Sequence, residues 1–189
     1  VDGPVTDANL FVDLNADLVP DLEEASGQTN DFGYYAIQRP ETDGFLIIAA
    51  DGVDSVTGNS PGLVLIAPSF ISAESNIGVN GLTSMMISGH GSELDDLFTS
   101  LGVPYSAAEL LSMDFWYEAE VGSEIAKQIQ RLNSQIINVI AVSTSIATAE
   151  PVSEPISVKG QVLNGLSTSL LALSDHAGAV DLSVSDNIE

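Results

Sequence analysis

The spacing of apolar residues changes once along this chain, near residue 77, and that change limits the folds open to it. Before it, apolar residues come in short continuous runs: residues 9–13 (NLFVD), 33–37 (GYYAI), 45–50 (FLIIAA) and 63–67 (LVLIA). Each is bounded by turn formers, in NDFG (30–33), ETDG (41–44) and DGVDSVTGNSPG (51–62). Runs of that length between turns predict strands of a buried sheet. After it, the spacing is helical. In residues 92–102, Leu94, Leu97, Phe98 and Leu101 share one face, and Gly102 is placed to stop the helix. Ser92 with Asp95, and Ser106 with Glu109, have the spacing of capping boxes, in which hydroxyl and carboxylate satisfy free N–H groups of the first turn. Residues 123–147 set Ile125, Ile129, Leu132, Ile136 and Ile140 on one stripe of a long helix. The later part of that helix carries no charge and is expected to be buried on several sides. Two prolines in EPVSEPIS (150–157) break it, and residues 162–178 form a last helical candidate weakened by Gly165. The expectation is an α+β chain, strands then helices, with a β unit at 1–76 and an α-helical unit at 77–189.

Charge narrows the partners. The formal net charge is −23, with four Lys and Arg against 27 Asp and Glu. Such a surface repels a phosphate backbone and an anionic membrane, so nucleic acid and membrane insertion are not expected, and cations are the natural ligands. There is no cysteine, so neither disulfides nor thiol chemistry enter.

Carboxylates crowd most closely in DLNADLVPDLEE, residues 13–24. Counted from Asp13, oxygen donors fall at positions 1 (Asp13), 3 (Asn15), 5 (Asp17), 9 (Asp21) and 12 (Glu24), and Val19 at position 7 offers a backbone carbonyl. This is the ligand spacing of a twelve-residue calcium loop, built for a hard cation that takes six to eight oxygens. Zinc would call for His or Cys, and none is near. Position 6 is Leu18, where a tight turn favours glycine, and position 8 is Pro20; the flanks read as strand. The spacing therefore predicts a calcium loop in a β context, with its affinity lowered by Leu18.

The stretch ANLFVDLNADLVPDLEEASGQTNDFGYYAI resembles the calcium-binding B-type repeats of serine-aspartate-repeat adhesins and related carboxypeptidase-regulatory-like modules. Asp13, Asn15, Asp17, Asp21, Glu24, Thr29, Gly33, Tyr35 and Ile37 carry the resemblance, which spans about residues 2–67. It implies a transthyretin-like β-sandwich, calcium as cofactor, and a secreted, extracellular setting on a bacterial surface. It also implies an adhesive or structural role without catalysis. The partners it implies are neighbouring modules of a longer chain and a surface protein or glycan ligand.

Enzyme chemistry has weaker candidates. His90 stands beside Ser92, Asp95 and Asp96, but a catalytic triad is defined by geometry, and Ser92 already has a use as a helix cap. His176 reads as a residue at a helix end. Carboxylate pairs are too common in this chain to mark a glycosidase. Trp116, between Phe115 and Tyr117, reads first as a core anchor. As a sugar platform, with Tyr117, it would make the chain an accessory module of a secreted carbohydrate-active enzyme, the alternative to the adhesive role.

Overall fold

A computed structural model describes residues 3–42, 44–60, 62–69, 76–87 and 92–147, with 165, 166, 168 and 169. Strands come first, as β1 (Val5–Thr6), β2 (Asn9–Asp13), β3 (Ser26–Gln28), β4 (Leu46–Ala50), β5 (Val53–Asp54) and β6 (Val64–Pro68). Helices follow, as α1 (Gly81–Ser84, continued by a 3-10 turn at Met85–Ile87), α2 (Ser92–Ser100), α3 (Ala107–Ser112), α4 (Phe115–Glu120) and α5 (Glu124–Ala147). Among the described residues no helix is long and apolar enough to cross a membrane.

The strands make an antiparallel sheet in the order β3-β2-β4-β6, and β1 pairs with β5 beside it. Register places Phe11 opposite Ile48, and Ile48 opposite Ile66, so the three side chains line up across one face. That face packs on Leu82, Met85, Leu97, Phe98, Leu110 and Ile136 in one apolar core shared by sheet and helices. Leu10, Val12, Phe45 and Ile47 form a smaller cluster, covered by Ala25, Tyr35, Ile37 and Ile77. Tyr35 donates its hydroxyl to the Ile77 carbonyl, and burial pushes its phenol up to about 12.

α1 closes one sheet edge. The Ile66 N–H donates to Ser84 Oγ at 2.9 Å, and the Thr83 hydroxyl reaches the Ile66 carbonyl at 3.4 Å. The outward backbone groups of Ile66, which would help template another strand, are thereby occupied. α1 is itself fixed by α5, where buried Asn133 accepts from the Gly81 and Leu82 N–H groups at 2.8 and 3.3 Å.

These observations correct the expected fold class. The described strands form two small sheets rather than a transthyretin-like sandwich, and the helices share the core of the four-stranded sheet rather than following as a separate body. The GYYAI run forms no strand. Tyr35 and Ile37 alternate inward as strand residues would, but the segment lies over a sheet face as a cover. In the later part of α5, Asn138 and Val142 are exposed, Val142 by 60%, so over its described side chains that part is not buried on several sides. The buried row of α5 is Ala126, Ile129, Asn133, Ile136, Ile137 and Ile140. Residues 150–157 and most of 162–178 lie outside the described residues.

Candidate metal centre

β2 delivers Asp13 into the acidic loop with its side chain only 1% exposed. A carboxylate there needs hydrogen-bond donors. The loop supplies backbone N–H groups: Asp13 Oδ1 accepts from Asn15 and Ala16 at 3.2 and 2.7 Å, and Oδ2 from Leu18 at 2.8 Å. The alternation of Asp and Asn then has a local cause. Asn15 Oδ1 accepts from the Asp17 N–H at 3.0 Å, and Asp17 Oδ1 from the Val19 N–H at 2.8 Å. Each short polar side chain thus holds the backbone two residues on, and successive turns wind the loop. Ala16 and Leu18 take left-handed backbone within it, at φ 59° and 63°.

Glu24 fastens the other end. Its Oε1 accepts from the Leu14 N–H at 2.8 Å and its Oε2 from the Asp21 N–H at 3.0 Å. Between these braces, positions 3, 5 and 9 converge. Asn15 Nδ2 lies 2.9 Å from Asp17 Oδ2 and 3.3 Å from Asp21 Oδ2. Val19, half exposed, contributes its N–H to the turn. The repulsion among these carboxylates is therefore offset in part by N–H donors and by the Asn15 amide.

The acceptors are all oxygen, as calcium prefers and zinc does not, and Asn15 turns its amide NH2, a hydrogen donor, toward the Asp17 and Asp21 carboxylates. Asp13 Oδ1 accepts two N–H groups, but Asp13 Oδ2 and both Glu24 oxygens accept one each and keep a second lone pair, so backbone bonding does not exhaust either carboxylate. No three His, Asp or Glu side chains among the described residues stand together as a metal cage. The convergence instead involves two carboxylates and one amide.

A second loop uses the same device, and the sequence reading marked it only as turn chemistry. Asp54, 2% exposed at the end of β5, accepts from the Val56 and Thr57 N–H groups at 2.8 and 2.9 Å, and from Gly3 at 3.3 Å. The aspartate followed by a Thr-Gly turn in DSVTG was the available signal. Asp54, Thr57 and Asn59 face Ile137 and Asn138 of α5 across a cleft of about 180 Å³.

The other candidate residues divide. Thr29 Oγ1 accepts from the Ala8 N–H at 2.8 Å, and Gly33 takes φ 76° in the turn after it. The Ser106–Glu109 box forms in both directions, and the hydroxyl beside Glu109 holds its carboxyl below the usual range. Asp95 reaches forward to the Ala107 N–H at 2.8 Å, tying α2 to the start of α3. Trp116 is half-buried, 5.8 Å from the Phe115 ring and packed on the core, so the outward aromatic of that trio is Tyr117. His90, His176 and the side chain of Ser92 lie outside the described residues.

No protein-family model, curated protein or solved structure matches this chain. The resemblance to calcium-binding repeats rests on its own residues.

Proposed function

We propose that this chain is a non-enzymatic, calcium-binding module of a secreted bacterial surface protein, in which calcium rigidifies the 13–24 loop for an adhesive or structural role. The observation that carries the reading is the convergence of the side chains at loop positions 3, 5 and 9 between two braced carboxylates. Asp13, Asn15, Asp17, Asp21 and Glu24, with the Val19 carbonyl, are the residues that would hold the ion. The ion would neutralise the clustered charge and cross-link the loop.

Asp54 favours a second reading. A buried aspartate in this same fold carries three backbone donors as a structural turn, and the acidic loop is then a metal-free turn of the same type.

Calorimetric titration of chelator-stripped protein separates the two. Extracellular calcium modules bind with dissociation constants of about 10⁻⁴ to 10⁻³ M. A few millimolar calcium should then stabilise the fold by about 1 to 2 kcal/mol. Asp17→Ala and Asp21→Ala, both at exposed positions, should remove that gain, while Glu41→Ala should keep it. Asp13→Ala destabilises under either reading, because three N–H groups lose their acceptor. Absence of both calcium heat and a calcium-dependent melting shift would leave the metal-free turn.

A further inference from the structure

Two segments eighty residues apart meet at an exposed aromatic face. The Tyr34 hydroxyl donates to Asp114 Oδ2 at 2.8 Å, and Asp114 Oδ1 accepts from the Tyr117 N–H at 3.0 Å. One carboxylate thus ties the 30–34 turn to the first turn of α4. Both tyrosines are nonetheless 56% exposed, and Phe32 at the tip of the turn is 71% exposed. α4 buries Phe115 and Ala119 and turns Tyr117, Glu118 and Glu120 outward. The bond to Asp114 is the main cause of a raised Tyr34 pKa, and Glu120 and Tyr117 add smaller pushes, as groups within electrostatic reach do.

We infer that the face formed by Tyr34, Tyr117, Asp114 and Glu120 docks an arginine-bearing segment of a partner protein. Charge complementarity selects that occupant. Asp114 and Glu120 lie within electrostatic reach of the Tyr34 hydroxyl, residues 114–126 contain no Lys or Arg, and the next cation along the chain, Lys127, is paired with Glu124 at 2.6 Å. The electron-rich ring faces and the carboxylates attract the same kind of group, a cation with a flat apolar surface. Guanidinium meets both demands, because it stacks on an aromatic face and forks onto a carboxylate, whereas an ammonium does neither as well. The Tyr34 ring is held by Asp114 before any partner arrives, so less side-chain freedom remains to be lost on docking.

The test is titration of the whole chain, in chelator so that no calcium is displaced, with a hexa-arginine peptide and a hexa-lysine peptide. A merely acidic surface binds the two alike. The docking face should bind the arginine peptide more tightly, and Tyr117→Ala should weaken that binding by about threefold or more. Glu120→Gln should weaken it too, while Glu41→Ala leaves it unchanged. Far-ultraviolet spectra and melting of each variant confirm that the fold persists at these exposed positions. Equal affinity for the two peptides overturns the inference, as does arginine binding that ignores both Tyr117→Ala and Glu120→Gln. Neutral oligosaccharide binding that falls in Tyr117→Ala, without an arginine preference, also overturns it and assigns the face to a sugar.

Discussion

Ala16 and Leu18 hold the same left-handed backbone for different returns. At φ 59° and 63° each places a Cβ against the following carbonyl, a conformation that costs an L-residue about 1 to 2 kcal/mol. Leu18 recovers part of this by packing against the apolar core, while Ala16 is exposed and recovers nothing. Ala16→Gly should therefore stabilise the fold by about 0.5 to 1 kcal/mol, after the extra chain entropy of glycine is subtracted. Leu18→Gly should gain less or lose, because its side chain leaves the core. Denaturant melts of the two variants in chelator check this, and a destabilised Ala16→Gly would show that the loop winds differently. Glycine's absence from position 6 was legible in the sequence. The consequence was not, because whether Leu18 strains the turn or anchors it depends on a core assembled from residues far along the chain.

Elements set by local chemistry were readable, and those set by distant partners were not. Residues 9–13, 45–50 and 63–67 read as strands because unbroken apolar runs between turns have few other uses, and β2, β4 and β6 form there. Gly102 ends α2 as its position predicted, at φ 77°, with the Val103 N–H reaching back to the Phe98 carbonyl at 2.8 Å. The short strands β1 and β5 escaped notice since two residues carry no pattern. α5 was placed correctly but rotated, because its stripe was traced through Ile125 and Leu132 and passed over Asn133. An asparagine looks like surface until its partner is known. Here its amide oxygen takes the first two N–H groups of α1, adding to the Ser84 and Thr83 bonds that tie the same helix to β6. Asn133→Ala should cost about 2 to 3 kcal/mol, since two N–H groups at a buried helix start lose their acceptor. Gly81→Ala should also destabilise, as its Cβ would lie 2.9 Å from Ile137 Cγ1 and 3.0 Å from Asn133 Oδ1. Thermal melts read both, and wild-type melting in Asn133→Ala would mean that α1 is held by its apolar contacts and its bonds to β6.

At the scale of the whole molecule, the order of strands and helices was visible but their mutual dependence was only hinted at by the apolar surface of the 123–147 segment. The sheet face built from Phe11, Ile48 and Ile66 has its apolar partners in residues 82–140, and the β6 edge is closed by Ser84 and Thr83. Tyr34 and Asp114 add a polar tie between the same two parts. A fragment ending at residue 76 would keep its turns, including the braced acidic loop, but would bare one face of its sheet and one strand edge. Burial of apolar surface is the main driving force of folding, at about 25 cal/mol per Å². A small sheet stripped of one of its two apolar covers falls below what its chain entropy demands. The 1–76 fragment should therefore show no cooperative thermal transition and should associate through the exposed β6 edge, whereas the whole chain melts in one step. Circular dichroism melts and sedimentation of the two species are the measurement. A monomeric fragment that melts cooperatively near the temperature of the whole chain would show that the strands carry their own stability and that the shared core is a contact between two independent units.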